Sequence, residues 1–104
     1  MIEKQVEILN RIVVIMDASA DSGYSKMECE FDYESGGGVW SVDTNFVYYK
    51  DGIRVSEYLN DPQNESAHLV RKLRDLMREH SGGEWNSFHL AVAEDGKATT
   101  KFRY

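Results

Sequence analysis

Residues 24–34 narrow the fold of this chain further than any other stretch. Met27, Cys29, Phe31 and Tyr33 fall on one side, and Lys26, Glu28, Glu30, Asp32 and Glu34 fall on the other. A period of two sends successive side chains to opposite faces of a strand. One face is therefore apolar and the other is wet, the signature of an antiparallel sheet covered on a single side. The strands of a parallel sheet, buried on both faces, would be apolar throughout.

The residues that follow extend the pattern. Ser35-Gly36-Gly37-Gly38 is a turn, and a second strand runs from Val39 to Tyr49. Trp40, Val42, Thr44, Phe46 and Tyr48 share its inner face; Ser41, Asp43 and Asn45 lie outside, joined by Val47 and Tyr49. Asp51-Gly52 tolerates the positive φ angles of a tight hairpin turn. Ile53, Val55 and Tyr58 belong to a short third strand, so residues 24–58 read as an antiparallel meander. A second hairpin closes the chain. Phe88, Leu90 and Val92 point inward from one strand, Glu94-Asp95-Gly96 turns, and Ala98, Thr100, Phe102 and Tyr104 point inward from the last. Lys97, Lys101 and Arg103 line its outer face.

Two helices complete the order. Over residues 2–17, Ile2, Val6, Leu9, Ile12, Val13 and Met16 recur at about 100° per residue, with Ile8 and Ile15 beside that face. In the second helix Leu69, Val70, Leu73, Leu76 and Met77 make a narrow stripe. Asp61 is its expected N-cap, Pro62 its first residue, and Ser81-Gly82-Gly83 its stop. The expected fold is α+β, in the order α-β-β-β-α-β-β: an antiparallel sheet of about five strands with both helices on one face. At 104 residues the chain is read as a single domain, 1–104.

Charge limits the partners. Eighteen acidic residues outnumber twelve basic ones, for a net charge of −6. A general nucleic-acid binder needs a basic footprint, and an anionic membrane would repel this surface, so neither is an expected partner. The longest apolar run, Ile12 to Met16, is too short to cross a bilayer. The N-terminus lacks the pattern of a signal peptide. The lone Cys29 excludes a disulfide framework and suits a reducing cytoplasm. It alternates with Met27 and Phe31 as a small core hydrophobe.

No phosphate-binding loop, His-Glu-x-x-His or Gly-x-Ser-x-Gly motif occurs, so no catalytic, cofactor-binding or metal-ligating residues are assigned. His68 and His80 are over three helical turns apart and cannot share a metal; His89 falls on the outer face of the fourth strand. The sharpest feature is the row Glu28, Glu30, Asp32 and Glu34, with carboxylates roughly 6.5–7 Å apart. Such a row can pair across strands with Lys97, Lys101 and Arg103, protect a sheet edge, or dock a basic protein. Asp43 neighbours it on the next strand. Trp40 reads as core. Trp85, which follows a Gly-Gly break, is a candidate interface anchor.

The tail also carries a resemblance. Trp85-Asn86-Ser87-Phe88-His89-Leu90, then Glu94-Asp95-Gly96-Lys97, then Phe102-Arg103-Tyr104 resembles the closing hairpin of the YezG-like immunity proteins. The order of an N-terminal helix, a Gly-rich first hairpin and a helix before the Trp is similar too. The chain departs from that family at Ala98-Thr99-Thr100 and in ending on Arg103-Tyr104. The resemblance implies a non-enzymatic antitoxin without cofactor, which binds the C-terminal toxin domain of a polymorphic toxin, often a nuclease, in the cytoplasm of the producing cell. An acidic inhibitor would meet a basic toxin surface through Glu28, Glu30, Asp32, Glu34, Asp43 and Trp85, as a monomer or weak homodimer. Two other readings stand beside it. One is a dimeric secretion chaperone joined through Ile8 and Ile15; the other is a small metal-dependent hydrolase using the acidic row.

Overall fold

The computed structural model describes residues 3–104; Ile2, expected on the first helix's apolar face, lies outside them. Helix α1 (Glu3–Ser19) leads into β1 (Lys26–Gly36), β2 (Val39–Lys50) and β3 (Ile53–Glu57). Helix α2 (Glu65–Ser81) follows, then β4 (Ser87–Val92) and β5 (Ala98–Arg103). The five strands form one antiparallel sheet in the order β3-β2-β1-β4-β5, the expected α+β architecture. Both helices pack on the face that carries Met27, Cys29, Phe31, Phe46, Phe88 and Leu90, and one apolar cluster joins these residues to Ile12, Met16, Val70 and Leu73. No described helix is long and apolar enough to cross a membrane.

Two hairpin turns set the registers. Gly37 and Gly38 have φ of 59° and 79°, and Asp51 and Gly52 have φ of 54° and 75°. Two consecutive left-handed residues match the twist of the strands they join. The first turn pairs Gly36 with Val39, and the second pairs Lys50 with Ile53.

Helix α1 buries a different stripe from the one expected. Gln5, Ile8, Leu9, Ile12, Ile15 and Met16 are buried, while Val6 is 42% exposed. Both stripes satisfy a period of 3.6. The observed one hides two isoleucines in place of valines and so removes more apolar surface from water. Ile8 and Ile15 are thus interior, not a dimer face.

Helix α2 starts later than expected. Pro62 and Gln63 form a turn, Asn64 adopts a left-handed conformation (φ 56°), and the first helical residue is Glu65. Asp61 still caps it from upstream. Its carboxylate accepts the Glu65 and Ser66 backbone N–H groups at 2.9 and 2.8 Å and the Ser66 hydroxyl at 2.6 Å. Burial raises the Asp61 pKa, but these donors and the nearby Arg11 outweigh it and hold the group below its ordinary value. Of the expected stripe, Val70 and Leu73 are fully buried, whereas Leu69, Leu76 and Met77 are partly covered. Gly82 ends the helix with its N–H on the Arg78 carbonyl at 2.9 Å.

The strand ends also differ from expectation. Tyr58 lies beyond β3 and is 94% exposed, and Ile53 is 65% exposed. Ala98 and Tyr104 are exposed, with the Tyr104 ring against Gly83.

Candidate functional site

Strand β1 sits at the centre of the sheet, so its carboxylates are not protecting an edge. Their face is the one opposite both helices. Strand β4 separates β1 from β5, which places Lys101 and Arg103 two strands from the acidic row, while Lys97, expected on the last strand's outer face, lies in the turn before β5. Arg103 alone of the three reaches it. Its guanidinium donates to Glu30 Oε1 at 2.6 Å, and His89 Nδ1 donates to Glu30 Oε2 at 2.9 Å. The other His89 nitrogen lies 3.7 Å from Glu28. His89 is thus not an isolated surface histidine: it stands between the two carboxylates of the row that have partners.

The row therefore divides. Glu28 and Glu30 are partly covered; both lie beside His89 on β4, and Glu30 also pairs with Arg103 on β5. Asp32, Glu34 and Asp43 have no salt-bridge partner among the described residues. Asp32 stands directly opposite Asp43 across the β1–β2 ladder. Two carboxylates in that position repel one another. A shallow depression of about 610 Å³ opens beside them, lined by Asp32, Glu34, Asp43, Asn86 and Arg74. Arg74 is engaged elsewhere. Its Nε donates to the Trp85 carbonyl at 3.0 Å, and its guanidinium lies over the Tyr33 ring at 4.6 Å.

Trp85 does not belong to this surface. It is fully buried, edge-on to Phe88 at 5.2 Å and tilted on Phe102 at 5.4 Å. Its indole N–H donates to the Met77 sulfur at 3.2 Å. With that donor satisfied inside the protein, the ring needs no contact with water or a partner. Trp40 moves the other way. It is half-buried, stacked on Tyr33 at 6.3 Å, edge-on to His68 at 5.3 Å and beneath Arg71 at 4.8 Å. Cys29 is buried, and burial pushes its thiol up to about 12. Among the described residues, no group of three or more His, Cys, Asp or Glu side chains is placed to hold a metal ion.

One feature of the surface lay outside the sequence expectations. Strand β3 covers β2 from Phe46 to Lys50, leaving residues 39–45 of β2 at the edge of the sheet. The signal was present in the sequence: the Asp51-Gly52 turn joins a strand of 12 residues to one of 5.

No protein-family model matches the chain. It is similar to a protein of Stenotrophomonas maltophilia described as "Chorionicgonadotropic hormone-like protein", with 39% identity over 79 residues. The match takes in 73% of this chain and 18% of that protein, so the chain spans less than a fifth of the relative's length.

Proposed function

We propose that the chain is an immunity protein. It neutralises a cognate bacterial toxin domain by stoichiometric binding in the cytoplasm, and performs no chemistry of its own. The observation that carries this reading is the facing pair Asp32 and Asp43 beside Glu34. Three carboxylates are left without a salt bridge at the end of an uncovered sheet face, where the facing pair opposes folding and favours a basic partner. A surface of that sign speeds encounter with a positively charged nuclease and orients it through the long-range field. The resemblance of the closing hairpin to YezG-like immunity proteins supports the same class. Trp85 drops out of the proposed contact set; Asp32, Glu34 and Asp43 are its centre, and Glu28 and the Arg103-paired Glu30 its flank.

The test is protection in cells. The chain is co-expressed with the C-terminal domain of any large secreted protein found encoded beside it. Survival that falls with Asp32→Lys/Asp43→Lys, while the purified variant stays folded, supports the reading. Toxicity undiminished by the unaltered chain removes it.

A further inference from the structure

The open edge of β2 points to a docking mode. In an antiparallel ladder, alternate residues turn both backbone groups toward one neighbour. The N–H of Tyr33 donates to the carbonyl of Asn86, the residue before β4 and in line with its register, so odd residues of β1 face β4 and even ones face β2. Their register partners on β2 are odd-numbered. The even-numbered residues of β2 turn the opposite way, toward β3 where it is present. Beyond Phe46 there is no β3, and the N–H and C=O groups of Trp40, Val42 and Thr44 have no hydrogen-bond partner among the described residues.

This edge lacks the usual protection. Residues 39–45 read Val-Trp-Ser-Val-Asp-Thr-Asn, without lysine, arginine or proline. The opposite edge, β5, has six residues and carries Lys101 and Arg103, the charge and brevity by which sheets block unwanted pairing. Two hollows flank the β2 edge. One of about 150 Å³, on the helix side, lies between Val42, Thr44 and Leu59 and the polar start of α2 at Asp61, Asn64 and Ser66. The other, of about 320 Å³, lies where β3 ends, between Thr44, Glu57 and Tyr58.

We propose that the partner adds an extended strand to β2 along Trp40–Thr44, end to end with β3. Its side chains alternate between apolar and basic. Those beside Trp40, Val42 and Thr44 point to the helix side, where apolar groups can extend the half-buried surface of Trp40 and Val42. Those beside Ser41 and Asp43 point to the outer face. There they meet Asp43 and, one strand further, Asp32 at about 10 Å from the incoming backbone, within reach of a lysine or arginine. A second copy of the chain fits poorly. Pairing two such edges sets acidic outer faces side by side on molecules that each carry a net charge of −6. Main-chain bonds supply affinity and alternate side chains supply selectivity, as in other strand additions. The identity of the occupant as a toxin segment rests on the immunity reading; the edge itself does not.

The test uses the full chain and a capped ten-residue peptide alternating lysine and valine. Hydrogen exchange is followed residue by residue. The expected result is slowed exchange at the amides of Trp40, Val42 and Thr44, with binding that weakens as salt rises. N-methylation of the peptide's alternate amides should weaken binding at least tenfold without touching the protein. Thr44→Pro, which removes an N–H that faces away from β1, should do the same while the fold survives. Equal binding of the N-methylated peptide, protection on β4 and β5 instead, or no protection overturns the proposal. So does concentration-dependent protection of the same amides in the protein alone, which would make a second copy the occupant. The two readings separate in cells. A chain that protects against its toxin equally well as Thr44→Pro retains the immunity function and loses strand addition. A chain that protects against no toxin yet binds the peptide at this edge loses only the immunity reading.

Discussion

Replacing Asp43 with asparagine should make the protein more stable. Asp43 and Asp32 form a directly opposed pair whose odd and even numbering places them in a hydrogen-bonded position, with α-carbons about 5.5 Å apart. At about 6 Å in a solvent-like dielectric, two unit charges repel by roughly 0.7 kcal/mol. Like-charged cross-strand pairs fall in the same range, about 0.2–1 kcal/mol. Asparagine keeps the shape and removes the charge, so Asp43→Asn should gain about 0.2–0.7 kcal/mol, a rise in Tm of roughly 1–5 °C for a domain of this size. Glu30→Gln should have the opposite sign. It weakens bonds to Arg103 at 2.6 Å and His89 at 2.9 Å. Arg103 is mostly exposed, so the loss is held to about 0.5–1.5 kcal/mol. Urea unfolding at pH 7 in low salt measures both. Repeating it near 1 M salt, where screening acts within about 3 Å, should erase most of the Asp43→Asn gain. A neutral or destabilising Asp43→Asn would refute the argument, because it would mean that the carboxylate has a favourable partner in the folded chain. If the immunity reading holds, the same stabilising substitution should reduce toxin protection, setting stability against function at one residue.

Three further outcomes are expected. Trp85→Ala should cost about 3–5 kcal/mol and Leu73→Ala about 2–5 kcal/mol in urea unfolding, since both side chains are fully buried; a loss under about 1 kcal/mol at either site would contradict the packing. Asp61→Ala should cost about 1–2 kcal/mol by removing the cap of α2. Because the folded carboxyl is held below its unfolded value, this contribution is present above about pH 4 and lost as pH falls through the folded pKa. The Tm gap between wild type and variant should therefore close in acid, and a gap that widens there would refute the cap. Cys29 should resist disulfide reagents at pH 8 and react on unfolding, because burial suppresses the thiolate; fast reaction of the folded protein would show that the strand face is open.

The period of two in β1 and the Gly-rich and Asp-Gly turns were enough to read the sheet, because each is a local property of the backbone. Strand order was not legible. That β1 pairs with β4 on its second side depends on contacts between residues about sixty apart, and the Glu30–Arg103 bond follows from that order alone. In α1 the valines and isoleucines give two overlapping stripes of the same period, and only the sheet beneath decides between them. The Gly-Gly break before Trp85 points, in sequence alone, to an open position. Its burial depends on Met77 accepting the indole N–H, a contact between α2 and the start of β4. The proposed docking surface was legible as a row of acids. Which acids keep partners was not, since that needs the three-dimensional neighbours of Asp32 and Asp43.

The strand order also bears on how the chain assembles. β1-β2-β3 and β4-β5 are each built from neighbouring segments, and β1 and β4 meet along one seam. Everything local can form early, whereas closing the seam must bring together segments separated by the whole of β2, β3 and α2, at the entropic cost of a long loop. Phe31 and Phe88 are register partners there, stacked at 4.9 Å, and Cys29 faces Leu90 one step on. These few pairs are the point at which two independent pieces of sheet become one cooperative unit. Any opening of that seam leaves the apolar faces of β1 and β4 without their partner strand, the kind of exposed edge that favours aggregation.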